Sequence, residues 1–237
     1  MRNRAAGQAR GDFLLWLDEG AAVLDSDWLQ QMLNHGMRQE VGCVGAKLVG
    51  ADGKVRHAGL LAGFEGSFGV AFEDLPSDAP GYMQRLQVDQ NYSAMSDQCL
   101  MLRRELFCEV GGFDELMAPW AGADLCLKVQ QAGYLNVWTP RVQLLVSDFE
   151  AVAAMPEQED RLYERWLPQL ARDRAYNSNF SLDRGKAFSV DHSLKTWHPL
   201  SSRKLLPRVL VHPAQDNASA QRIIGPFNAL RSQGLVE

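Results

Sequence analysis

A continuous apolar run, Phe13–Leu17 (FLLWL), stops at two acids, Asp18 and Glu19, and the pattern then turns helical. Unbroken apolar residues without polar alternation suit a short strand covered on both faces, and such a strand needs helices above and below it. The segment VGCVGAKLV (residues 41–49) makes the same demand. Between the two, DSDWLQQMLNHGM (25–37) places Trp28, Met32 and Leu33 on one helical face, with Asp25 or Ser26 ahead of it to cap its free amides. Buried strands alternating with amphipathic helices predict an α/β fold.

The rest of the chain continues the pattern. The DGK triplet at 52–54 reads as a hairpin turn, HAGLLAGF resumes in extended form, and the polar segment Glu65–Gly81 reads as a long loop. QCLMLRRELFCEVGGFDE reads as a strand breaking into a short helix that stops at Gly111 and Gly112. ADLCLKVQQAGY is a helix with Leu125, Val129 and Ala132 on one stripe and Gly133 as its stop. LNVWTP and VQLLV read as two short strands, and EDRLYERWLPQLARD as a helix kinked or divided at Pro168. Residues 175–206 lose periodicity and read as an irregular linker. At PRVLVHP a new strand is predicted, followed by a helix pattern interrupted at Gly225 and Pro226.

Composition excludes several classes of function. The net charge of −5 over 237 residues argues against general nucleic-acid binding, which needs a basic footprint. The cysteines, Cys43, Cys99, Cys108 and Cys126, are widely spaced and form no Cys-x-x-Cys pair, so they read as reduced core thiols. The basic start MRNRAAGQARGD precedes an apolar run too short for a signal-peptide core, and no later run approaches a spanning helix. The expected location is cytoplasmic, with peripheral attachment at the inner membrane as the variant.

Four motifs in order, RNRAAGQARGDFLLWLDEGAAVLDSDWLQQML, VGCVGAKLVGADGKVRHAG, CLMLRRELFCEVGGFDE and ADLCLKVQQAGYLNVWTP, resemble the second half of a bacterial family 2 glycosyltransferase with a GT-A fold. The resemblance covers roughly residues 2–150 and implies a mixed sheet flanked by helices, truncated at its N-terminus, with the nucleotide-binding half upstream. Residues 151–206 would be a C-terminal helix and linker. Residues 207–237 are similar to the opening of a GT-B-type glycosyltransferase, which implies further glycosyltransferase domains in a parent that assembles surface polysaccharide. The implied partners are a nucleotide-sugar donor and a glycan or lipid-linked acceptor.

The resemblance also distributes roles. Asp18, with Glu19, would hold a divalent cation, manganese or magnesium, against the donor diphosphate, where a hard cation on oxygen ligands neutralises the departing charge. Gly20 stands where the last acid of that motif usually lies, and Val146 where a metal-binding His often does. The usual general-base position is Gly122, leaving Asp124 as the surviving acid and the candidate base. His57, Asp97, Gly112 and Asp114 are the candidate substrate-binding residues, Asp97 standing where small residues usually line the sugar pocket. With three positions stripped of polar groups, a degenerate module serving as scaffold or sugar-binding platform is the alternative to an active transferase. The Asp25-Ser26-Asp27 run is assigned to the helix cap.

Overall fold

A computed structural model describes residues 2–64, 66–70, 72–147, 154–183, 186–191 and 224–233. The chain divides into two units, 1–189 and 190–237. Of the second, the described part carries helix α6 (Gly225–Ser232), which begins at the Gly-Pro pair expected to interrupt it, with Pro226 in its first turn. The strand expected at 207–213 lies outside the described residues.

The first unit is built on a mixed sheet of seven strands. Its path runs β1 (Phe13–Leu17), β8 (Cys99–Arg103), β3 (Val41–Gly50), β9 (Leu135–Val146) and β2 (Ala22–Val23), while β4 (Val55–His57) pairs with β3 and β7 (Gln90–Asn91) with β9. β8 runs antiparallel to both β1 and β3, with Leu17 opposite Cys99 and Gly45 opposite Leu100. β3 and β9 are parallel, Val44 opposite Val137 and Leu48 opposite Leu144.

All ten residues of β3 are buried, and the reason is visible on β8 beside it. Leu100 and Leu102 join one core cluster, with Leu106 and Phe107 of α3 (Arg104–Glu109) and Leu125 and Val129 of α4 (Ala121–Gln131). Cys99 and Met101 alternate to the opposite face and meet Met32 of α2 (Trp28–Gly36) together with Val44 and Leu48. Period-two alternation therefore feeds two cores, one on each face of the sheet. Lys47 alternates with Ala46 and Leu48; it is 1% exposed, and its ammonium donates to the carbonyls of Ser77 and Leu86.

Several expectations need correction. β1 is an edge strand rather than a central one: it pairs with β8 alone among the described residues, so Leu14 is buried while Leu17 is 41% exposed. LNVWTP and VQLLV form one strand, β9, because its register against β3 skips from Thr139 to Gln143 between Ala46 and Lys47, and the extra residues bulge without breaking the ladder. Part of the expected 65–81 loop is strand β6 (Ser67–Gly69), which pairs with β5 (Leu61–Phe64), and Val55 exchanges hydrogen bonds with Leu75 and Asp74. Asp27, not Asp25 or Ser26, is the residue ahead of α2, and its carboxylate accepts from the Gln31 side chain instead of a helix amide. Ala132 is exposed, since α4 ends there, and Cys108 is exposed on α3 while the other three cysteines are buried and unpaired. Helix α1 (Arg2–Gln8) had no counterpart in the pattern reading.

Helix α5 (Pro156–Ala171) runs through Pro168 as one helix. It buries Leu162, Trp166 and Leu170 against Ala62, Met117 and Leu127. Just beyond it, Asp173 accepts hydrogen bonds from the Ala62 and Ala175 amides, each at 2.6 Å, and from the Ser93 hydroxyl. The segment read as a linker continues this attachment as far as Ser189. Tyr176, Phe180 and Phe188 have no regular spacing but pack ring against ring, and the Tyr176 hydroxyl bridges the Ser181 carbonyl and the Phe188 amide.

Gly63 shows how closely α5 approaches. Its φ is +87°, and a Cβ there would stand 2.2 Å from the Leu170 carbonyl oxygen. Gly53 shares the left-handed backbone, φ +75°, but has nothing within 4 Å. Gly63→Ala should therefore cost more than about 2 kcal/mol in urea unfolding, while Gly53→Ala costs about 1 kcal/mol for its backbone alone. Equal losses would show that the α5 contact is not the constraint.

Candidate functional site at one end of the sheet

Because β8 is antiparallel to both β1 and β3, and β9 is parallel to β3, the carboxyl ends of β1, β3 and β9 lie toward the same end of the sheet, beside the entry to β8. Most of the candidate residues gather there. Asp18 and Glu19 follow β1 and are exposed; the Asp18 amide donates to the Gln98 carbonyl at 2.9 Å, and its carbonyl accepts from Ala21 at 3.0 Å. The resulting turn brings Gly20 to the end of β9, where a Cβ on residue 20 would lie 3.1 Å from the Ser147 hydroxyl. The residue facing Gly20 is thus Ser147 and not Val146, which the strand's alternation turns into the core, 5% exposed.

Asp97 precedes Gln98 and is carried to the same place. Its carboxylate pairs with the guanidinium of Arg2 on α1. Beneath it runs the first turn of α4, and at Gly122 the two backbones come close: a Cβ on residue 122 would stand 2.7 Å from the Asp97 Cβ and 3.1 Å from its Cγ. α1 is fastened on its other side by Asn3, whose amide accepts from the Phe113 N–H at 3.0 Å and donates to the Phe113 carbonyl at 2.7 Å. Gly112 lies directly against Asn3 in a left-handed conformation, φ +66°. The sequence offered a basic N-terminal run as its sole signal for Arg2, and none for Asn3.

Asp124 has a different environment from the one a base requires. Its side chain is fully buried; Oδ1 accepts from Trp166 Nε1 at 2.9 Å and Arg165 at 3.0 Å, and Oδ2 lies 2.7 Å from Lys128 Nζ. Arg165 also pairs with Asp114 at 2.9 Å, while Asp114 Oδ1 caps the short helical turn Glu115–Met117 through the Leu116 amide. Lys128 reaches the Gly112 carbonyl at 3.1 Å. A carboxylate enclosed by two cations and an indole fastens α4 to α5. The i,i+4 spacing to Lys128 was readable in the sequence, whereas Arg165 and Trp166 arrive from a helix far along the chain.

His57 does not join this group through any hydrogen bond or ion pair that it makes in the structure. It is 8% exposed, its Nδ1 accepts from the Gly59 amide at 3.2 Å, and burial pulls its pKa down to about 4. Among the described residues, no group of three or more His, Cys, Asp and Glu side chains is placed to hold a metal ion. No helix among the described residues is long and apolar enough to cross a membrane.

No protein-family model matches the chain. The chain is 38% identical over 195 residues to protein y4gI of Sinorhizobium fredii (strain NBRC 101917 / NGR234), a match covering 78% of this chain and 22% of that protein. It is 31% identical over 245 residues to the O-antigen biosynthesis protein RfbC of Myxococcus xanthus, across all of this chain and 18% of RfbC. The chain thus spans about a fifth of the length of these relatives. Among solved structures it is similar to GalNAc-T7, crystallised with UDP, GalNAc and Mn2+, with a TM-score of 0.52 and 17% identity over 70% of this chain and 34% of that one. The architecture is therefore of the GT-A glycosyltransferase type, a mixed sheet flanked by helices.

Two outcomes follow from the buried groups. Asp124→Asn keeps an acceptor for Trp166 but leaves Lys128 without the Asp124 charge and Arg165 with Asp114 as its remaining carboxylate. Both cations retain some contact with water, so the loss in urea unfolding should fall toward the lower end of the ~3–5 kcal/mol typical of a broken buried pair. For His57, the folded pKa lies below the unfolded value, so the unfolded chain takes up the proton first and stability falls as pH drops from about 6.5 toward 4. The full contribution is on the order of 3 kcal/mol. His57→Gln should flatten that part of the stability profile, read as melting temperature against pH; an unchanged slope would refute the assignment.

Proposed function

We propose that this chain contributes the acceptor-side half of a glycosyltransferase that moves a sugar from a nucleotide-sugar donor to a glycan or lipid-linked acceptor in bacterial surface-polysaccharide assembly. The observation that carries the reading is the meeting of the Asp18–Glu19 strand end, Asp97 and Gly122 at one end of a GT-A-type sheet. The name of the RfbC relative supports polysaccharide assembly as its setting. Asp18 and Glu19 would hold a divalent cation that neutralises the departing diphosphate, and with two protein carboxylates the cation would depend on the diphosphate and water for its remaining ligands. Asn3, Gly112 and Phe113 would shape the wall nearest the acceptor. The parent polypeptide would carry the nucleotide-binding half and further glycosyltransferase domains, of which residues 207–237 are the start of one. Its expected location is the cytoplasm, with attachment at the inner membrane surface.

A second reading, a sugar-binding or scaffold module without turnover, is favoured by the enclosure of Asp124 and by the bare positions Gly20 and Gly122. Calorimetric titration of manganese into the complete parent, with and without UDP, separates the two. The transferase reading expects manganese binding that is weak alone and tightens at least tenfold with UDP, by linkage, and that disappears in Asp18→Ala/Glu19→Ala. Equal binding with and without UDP, or in the double variant, leaves the scaffold reading.

A further inference from the structure

We infer that the proton-accepting carboxylate of this site has moved from helix α4 to the loop ahead of β8: Asp97 fills the space that a side chain at position 122 would occupy, and it accepts the proton of the acceptor hydroxyl. This rests on the transferase reading above.

The geometry leaves room for one side chain between the loop and the helix. A Cβ built on Gly122 falls 2.7 Å from the Asp97 Cβ, 3.1 Å from its Cγ and 3.1 Å from its backbone nitrogen, so a carboxylate cannot project from 122 while Asp97 is present. The bare glycine is thus the condition for Asp97 to stand where it does, and its loss of a polar group is not a loss to the site. Asp97 is 23% exposed along its side chain, open to an acceptor, whereas Asp124 is sealed at 0%. It is tied to the other acids through a backbone hydrogen bond, since the carbonyl of Gln98, its neighbour, accepts from the Asp18 amide. Its partner is Arg2, half exposed on α1.

The step balances without a further reagent. The acceptor oxygen forms a bond to the anomeric carbon as its proton passes to a carboxylate oxygen of Asp97. The bond from that carbon to the diphosphate oxygen breaks, and the nucleoside diphosphate leaves with the electron pair.

Two measurements test the inference. The first is a thermal-melt cycle on this chain. Gly122→Asp alone should lower the melting temperature by several degrees through overlap and like charge, and Asp97→Gly/Gly122→Asp should recover most of it. A double variant as unstable as the single one overturns the shared volume. The second uses the complete parent with manganese, following release of nucleoside diphosphate from UDP-, GDP- and dTDP-linked hexoses, with water as acceptor. Asp97→Asn should slow release at least about 100-fold and remove the acid limb of its pH profile, with unchanged affinity for manganese–UDP, and the exchange variant should regain activity to within about tenfold of wild type. Full activity in Asp97→Asn overturns the role of Asp97 and leaves the transferase reading intact. A wild type silent toward every donor overturns the transferase reading, and this role with it.

Discussion

The site depends on the pairing of β3 with its two neighbours. β3 lies buried between an antiparallel β8 and a parallel β9, and this one combination decides which strand ends coincide. Had β8 run parallel to β3, β1 would have been reversed and Asp18 delivered to the far end of the sheet. Instead the Asp18 turn, the entry to β8 at Asp97 and Gln98, and the exit of β9 at Ser147 all arrive together. Strand polarity is itself held by packing: Val44 and Leu48 must meet α2 while their alternates meet α3 and α4, so a slip of one residue would send each to the wrong core.

What the sequence could reveal follows from the range of the interactions involved. Strands β3 and β8 and helices α2 and α4 were readable because each announces itself by local periodicity, and Gly111, Gly112 and Gly133 mark stops that need positive φ. β1 looked like a central strand because five apolar residues say nothing about how many neighbours a strand has. β9 looked like two strands because Pro140 and Arg141 interrupt the apolar pattern, whereas the ladder absorbs them as a bulge. Tyr176, Phe180 and Phe188 were missed for the opposite reason: they bury by ring contacts that have no period.

The candidate site divides along the same line. That acids cluster after β1 was visible in the residues, and that position 122 lacks one was implied by the family resemblance; whether the cluster is complete was not, since this turns on a contact between residues 97 and 122. Asp124 illustrates the converse. An acid ahead of an apolar helix reads equally well as a base or an anchor, and the partners that enclose it, Arg165 and Trp166, come some forty residues later.

Lys47 has a consequence for how this fold can diversify. Its ammonium is sealed inside the sheet and held by two main-chain carbonyls, Ser77 and Leu86, so the path of the segment around them is fixed against β3. Between the two carbonyls Tyr82 stacks on Phe188 and Gly81 takes a left-handed backbone, φ +65°, and a change in length would strand a charge in the interior. Loop exchange, the usual route by which a scaffold acquires new specificity, is therefore blocked at this point unless Lys47 becomes apolar in the same step. Lineages that had lost the lysine would be the ones at liberty to lengthen the loop.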